Sequence, residues 1–453
     1  MKNKQKLKAG VAKVNVTPVL GTVMNGDFVN HYAQRKHSDL FAKALVLSNK
    51  ETTIAFAVVD ICMMDKDFVY QVKKDINDSL GISKEHIIIS STHTHGAPSI
   101  AGLLLASLDV VYRNKLAKNI VEAVRLAKEN LKDAKFAYGS VDAPEHLLCR
   151  RYLMQDDYTA INPVTGLADK IKTNPGGAED KIIKSIAPVD PELSFIAVKS
   201  IDDEWISLLA NYSLHYVGDW PDGTITSDYF GEFSKAIQEG LNANEEFLGI
   251  MTNGTSGDVN IWDFKNPDRY PKEFHKKSEL IGKDLAHKIV EVASQLEWNT
   301  LPSLFGEYKD VIVKTRKPSK EELPLFEEVL EQANYETILS LNDETRKQIY
   351  AREQLLLSEY PDEIAFPIQV LKIGDCTIGA LGGEFFSETG LNLKKEAGSN
   401  SYFTITIANG YVGYVPPKHE IANGGYETWR CRTSFLAEDA EELISNQLKA
   451  LIN

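Results

Sequence analysis

Three consecutive isoleucines, Ile87, Ile88 and Ile89, run directly into Ser90-Ser91-Thr92-His93-Thr94-His95-Gly96-Ala97-Pro98. An unbroken β-branched run followed by polar residues, a glycine and a proline is the pattern of a buried strand leaving a sheet for a loop. Residues two apart in extended backbone point to the same face, so the spacing predicts that His93 and His95 look into one cleft at the strand's carboxyl end. Open α/β sheets bind ligands at that end. Imidazole is the commonest neutral metal ligand and the usual acid or base near neutral pH. The pair points either to a metal site, one ring binding and the other free for proton transfer, or to two hydrogen-bonded histidines packed at a loop.

The remaining segments supply the sheet and its cover. Leu7 to Thr17, closed by Pro18, alternates apolar and polar residues as an early strand does, and Ala44 to Ser48 and Thr53 to Asp60 follow as strands. Asp60 serves either loop backbone or a cleft. Lys66 to Leu80 has helical spacing and stops at Gly81, and Tyr112 to Leu131 is a second amphipathic helix. Strands and helices alternating at these lengths predict crossover connections and an α/β fold with a parallel or mixed sheet.

Residues 141–190 are rich in Asp, Asn, Pro and Gly, which predicts a long surface excursion. Within it Arg150 and Arg151 stand side by side, and guanidinium suits a carboxylate, a carbonyl oxygen or a phosphate. Arg151 is expected in a surface salt bridge. Glu192 to Ser200 and Trp205 to His215 read as a hairpin that ends on another histidine, His215. A strand from Glu246 to Met251 enters Thr252-Asn253-Gly254-Thr255-Ser256-Gly257-Asp258-Val259-Asn260, a tight loop whose backbone N–H groups suit a ligand. No Walker motif is present, since no Gly-Lys-Ser/Thr ends it. Glu384 follows Gly382-Gly383 where a strand gives way to a helix, a place that presents a carboxylate to a site or to that helix's dipole. Residues 319–360 are dominated by charged helix formers and predict two exposed helices, a peripheral insertion in a single catalytic domain spanning 1–453.

Composition narrows the function. The 453 residues carry 64 acidic against 50 basic side chains, a net charge of −14, which argues against a surface for nucleic-acid phosphates. The four cysteines lie far apart, with no Cys-x-x-Cys pair for a thiolate zinc site. The longest apolar stretch, Ser99 to Val111, is too short to span a bilayer and carries Asp109. The charged amino terminus has no apolar core after it, so a cytoplasmic protein acting on a small molecule is expected. Oligomeric state leaves no trace in the sequence.

Taken in order, several pieces resemble the catalytic domain of the neutral/alkaline non-lysosomal ceramidases. They are Gly10-Val11-Ala12-Lys13 to Thr17-Pro18, Thr92 to Pro98, the isolated His215, Gly257-Asp258-Val259, Gly383-Glu384, and Tyr411-Val412-Gly413-Tyr414 with Tyr426. The resemblance implies one Zn2+ held by His93, His215, Glu384 and Tyr414, nitrogen and oxygen donors of the catalytic kind. It also implies His95 and Tyr426 beside the metal for proton transfer or hydrogen bonding, and Arg150 against the substrate. Two departures accompany it. Asn260 stands where the ceramidases carry a serine, and the chain ends where they continue into a β-sandwich. Asparagine is no nucleophile, so metal-activated water would hydrolyse an amide or related acyl bond, with Asn260 positioning the substrate or the metal-bound water. Metal-dependent sugar or hydroxy-acid chemistry, or a silent binding protein on the same scaffold, are the alternatives.

Overall fold

Ile87 and Ile89 enter one hydrophobic core and Ile88 enters another. The strand is covered on both faces, which is why its apolar run shows no alternation. The structure is a computed structural model and describes residues 6–24, 26–335, 338–398 and 401–453.

The first sheet has eight strands: β1 (Lys8–Asn15), β2 (Phe41–Ser48), β3 (Thr53–Val59), β4 (Ile87–Ser91), β5 (Lys132–Asp142), β6 (Glu192–Ser200), β7 (Trp205–Tyr212) and β8 (Leu248–Asn253). Their order is β8-β7-β6-β5-β1-β2-β3-β4. Only the outermost pairs, β3 with β4 and β7 with β8, run parallel, so the sheet is mixed. The second sheet holds β9 (Leu304–Lys314), β10 (Glu363–Ile373), β11 (Cys376–Leu381) and β12 (Tyr402–Ile405) in sequential order, with β11 and β12 parallel.

The sheets pack face to face. Leu45, Phe56, Ile88 and Ile196 of the first meet Leu371, Ile378 and Phe403 of the second. The other face of the first sheet is covered at one end by α1 (Lys66–Leu80) and α2 (Val110–Glu129) and at the other by α3 (Asp228–Gly240) and α4 (Lys276–Val292). Beyond the second sheet lie α5 (Leu323–Glu331), α6 (Asp343–Ser358), α7 (Ser387–Glu396) and α8 (Ala440–Ile452), with Leu357, Leu393, Ile444 and Leu448 packed on its outer face. The result is an α/β fold of mixed sheets with flanking helices. No helix among the described residues is long and apolar enough to cross a membrane.

One short segment draws the strand ends together. Ile407 accepts from Ser91 N at 3.1 Å, Asn409 N donates to Ile89 O at 2.8 Å, and Thr406 N donates to Asn253 O at 2.9 Å. The segment after β12 thus bonds to both edge strands of the large sheet. The carboxyl ends of β4, β7, β8, β11 and β12 therefore open toward one place.

Two sequence readings change. Arg151 was expected at the surface and is completely buried. The charge of α6 suggested a solvated exterior, yet Glu353 and Gln354 are fully buried, bonded to the Arg432 and Arg430 guanidiniums at 2.7 Å each. In both cases the partners lie far along the chain, where a local window does not reach.

Candidate metal centre

β4 ends at Ser91, and the chain turns sharply so that His93 takes a left-handed φ of 71°. Such a conformation is costly for a residue with a Cβ and persists only where its surroundings hold it. Here His93 N donates to Ile61 O at 3.0 Å, and Nδ1 lies 2.8 Å from the Cys62 carbonyl oxygen. That bond places the proton on Nδ1 and leaves Nε2 as a lone-pair donor. His215 lies three residues beyond β7 on an irregular segment, and Glu384 opens a two-residue strand paired in parallel with Tyr414.

These residues converge. Glu384 Oε2 is 3.7 Å from His93 Nε2 and 3.7 Å from His215 Nδ1, and ligand atoms of the three lie within 4.8 Å of one another. All three are buried. The separations are too long for hydrogen bonds. Ligands on a tetrahedral ion with bonds of about 2.0–2.1 Å sit roughly 3.3 Å apart, close to what is seen. His215 Nδ1 and Glu384 Oε2 are also buried with no hydrogen-bond partner among the described residues. Burial, with Arg150 and the neighbouring histidines, holds the His215 pKa well below its ordinary value, so its ring presents a lone pair.

The other carboxylate oxygen is committed. Tyr411 Oη donates to Glu384 Oε1 at 2.6 Å, which aims Oε2 at the histidines. Neither Tyr411 nor Cys62 stood out as a site residue in the sequence. Tyr414 stands beside Glu384 in register, its ring 5.4 Å from that of Tyr426. Burial and the Glu384 carboxylate push the Tyr414 phenol pKa well up.

Arg150 and Arg151 are tied to Glu427 from two sides. Arg150 Nε meets Glu427 Oε1 at 2.8 Å and Arg151 Nη1 meets Oε2 at 2.7 Å. Arg151 continues to Glu420 Oε2 at 2.7 Å, while Arg150 Nη2 donates to Gly257 O at 2.7 Å. Arg150 thus faces the site and Arg151 anchors it from behind.

A cavity of about 440 Å³ opens above, lined by His95, Arg150, His215, Tyr216, Tyr414 and Tyr426, with Trp220, Trp262 and Trp429 farther out. His95 stacks on Tyr216 at 3.6 Å, and its Nε2 has no hydrogen-bond partner among the described residues. Burial, His93 and Arg150 hold its pKa well below the ordinary value. Gly26 has a φ of 113°, and a Cβ there would meet His95 Nδ1 at 2.5 Å, so glycine is required for this approach.

Asn260 is not brought to the metal cluster. Its Nδ2 donates to Asn174 Oδ1 at 2.5 Å and its Oδ1 accepts from Trp262 N at 3.1 Å. Asn174 and Trp262, not Asn260, line the cavity. Asp258 is a structural cap: Oδ1 accepts from Ser387 N at 2.8 Å at the start of α7, the place the sequence offered to Glu384. Asp60 is buried too, taking Phe41 N at 2.9 Å and Lys43 Nζ at 3.1 Å, a structural role, and it is not among the residues that line the cavity.

No protein-family model matches the chain, and no curated protein matches it. Solved structures do. A structure described as a ceramidase complexed with C2 aligns with a TM-score of 0.75 at 15% identity, covering 99% of this chain and 75% of that one. Neutral ceramidase from Pseudomonas aeruginosa aligns with a TM-score of 0.74 at 16% identity, covering 99% of this chain and 74% of that one. The chain has a ceramidase-like fold.

Proposed function

We propose that the protein is a hydrolase of an amide or related acyl bond in a small molecule, using one zinc ion held by His93 Nε2, His215 Nδ1, Glu384 Oε2 and the Tyr414 hydroxyl. The observation that carries the reading is the pair of orphaned buried atoms, His215 Nδ1 and Glu384 Oε2, facing each other at 3.7 Å. A buried carboxylate oxygen with no donor is costly, and a cation between the two satisfies both. Two imidazoles with oxygen donors suit zinc of the catalytic type, and the ceramidase-like fold supports hydrolysis. Tyr414, whose phenol is held protonated, is the weakest donor of the set.

When bound, zinc supplies Lewis acidity, polarising a carbonyl and making water nucleophilic near neutral pH. The chain's own groups do the rest. Arg150, fixed by Glu427 and the Gly257 carbonyl, holds a positive charge on the cavity wall for a carbonyl oxygen as charge develops there. The Tyr426 hydroxyl, also on the cavity wall, donates to the same oxygen. His95 Nε2 takes a proton from the attacking water and returns it to the leaving nitrogen or oxygen. Water supplies the hydroxyl that goes to the acyl carbon as the acyl bond breaks. Asn260, engaged by Asn174 and Trp262, does not attack.

The test is a panel of N-acyl, ester and glycoside substrates offered to zinc-loaded and chelator-treated protein. N-acyl turnover that disappears with chelator and returns with zinc is expected, with little turnover of long-chain ceramide. N-acyl turnover that a chelator leaves untouched would contradict the reading.

A further inference from the structure

Two cations in the same cavity have no role in that chemistry. Lys172 comes from the strand Ile171–Thr173 within the 141–190 excursion, and Arg346 from the first turn of α6. Both line the 440 Å³ cavity that His215 and Tyr414 reach. Lys172 is half-buried, and its ammonium makes no hydrogen bond or ion pair with any described residue. The acids around it are occupied. Asp169 Oδ2 accepts from Gly425 N at 2.9 Å and Trp429 Nε1 at 2.6 Å, and Asp343 binds Arg346 Nη1 at 2.8 Å from a fully exposed position. Desolvation and then the Arg346 guanidinium push the Lys172 ammonium pKa down. A folded chain of net charge −14 has acids to spare, yet of the two cations facing this cavity only Arg346 is paired, and that by the exposed Asp343. Like charges held together in a partly desolvated place cost free energy that an incoming anion returns.

We propose that Lys172 and Arg346 form an oxyanion subsite, so that the substrate is an acyl compound carrying a carboxylate, or a phosphate or sulfate, away from its scissile bond. The guanidinium presents a planar fork to two oxygens and the ammonium a point charge to a third. The rings of Tyr414, Tyr426 and Trp429, which line the same cavity, follow one another at centroid distances of 5.4 and 6.1 Å. The segments that read as a surface excursion and an outer insertion thereby select the substrate. The proposal rests on the reading of this cavity as the substrate site.

Its test needs no turnover. The rate of reductive methylation of Lys172 is followed by mass spectrometry, on zinc-loaded and on chelator-treated protein. The probes are phosphate, sulfate, N-acetylglutamate, the neutral N-acetylglutamine, and chloride at matched ionic strength. At ~50 mM, at least one oxyanion is expected to slow the reaction about fivefold or more, as mass action requires of a site with a millimolar Kd, while N-acetylglutamine and chloride do not. Which oxyanion protects separates carboxylate from phosphate or sulfate as the source. Arg346→Gln is expected to abolish the protection while leaving zinc content unchanged. Equal rates with every probe, or protection that survives Arg346→Gln, would overturn the subsite. Zinc content, measured in the same samples, reports separately on the hydrolase reading.

Discussion

Tyr411 Oη donates to Glu384 Oε1 at 2.6 Å, and the opposite oxygen of the same carboxylate faces His93 and His215. The tyrosine thus decides which oxygen is available and where it points. Partners of this kind orient a ligand and raise its basicity. Tyr411→Phe keeps the ring and removes the bond. Zinc affinity is expected to fall about 10–100-fold, measured by competition with a chromophoric chelator, with the fold unchanged by circular dichroism.

Glu427 carries two buried guanidiniums. Burial alone pushes its carboxyl up, but Arg150 and Arg151 outweigh it and hold the pKa below 4.5. Glu427→Gln leaves the buried Arg150 charge without its carboxylate and Arg151 with Glu420 alone, for an expected loss of about 3–5 kcal/mol in denaturant unfolding. The sign with pH follows from linkage. Because the unfolded chain takes up this proton more readily, the stabilisation is complete above pH 4.5 and is lost as pH falls through the lower folded pKa. The wild type is therefore expected to lose its margin over the variant on acidification, and a margin that grew would contradict the assignment.

Gly257 lies where two parts of the site meet. A Cβ there would come within 2.5 Å of the Glu384 carbonyl oxygen, and the Gly257 carbonyl itself accepts from Arg150. Gly257→Ala forces the Glu384 backbone to move, so zinc affinity and stability are expected to fall together, stability by about 1–3 kcal/mol. Unchanged zinc affinity would show that Glu384 does not depend on this loop.

Asn260 acts through Asn174, which lines the cavity. Removing one hydrogen bond with Asn260→Ala is worth about 1 kcal/mol, a roughly fivefold loss in kcat/KM carried by KM, with zinc content intact. A loss confined to kcat would place Asn260 nearer the reacting atoms than its contacts do.

Features that depend on neighbouring residues were legible in the sequence. Lys66–Leu80 has the predicted bounds because Asp65 caps its start at Phe68 N and Gly81, at φ 69°, closes its end. Ile87–Ser91 was readable because a doubly covered strand needs an unbroken apolar run. The convergence of His93, His215 and Glu384 was expected from ordered motifs, and the segment 406–409 that closes the strand ends explains how it arises. Long-range electrostatics were not legible. Arg151, in a polar stretch, looks solvated until Glu420 and Glu427, some 270 residues later, bury it. Tyr411 stood within one of the ordered motifs but not as a site residue, because its role depends on the parallel register of Glu384 with Tyr414. Alternation placed His93 and His95 on one face, but β4 ends before both, and the left-handed turn at His93 sets their geometry instead.

The central claim is that His93, His215 and Glu384 share one ion. Its most direct measurement is the zinc content of purified wild type, His215→Ala and Glu384→Gln by inductively coupled plasma mass spectrometry, after dialysis against a mild chelator. One equivalent in the wild type and less than about a tenth in each variant is expected, since loss of one of four donors costs orders of magnitude in affinity. Stoichiometric zinc retained in either folded variant would contradict the account.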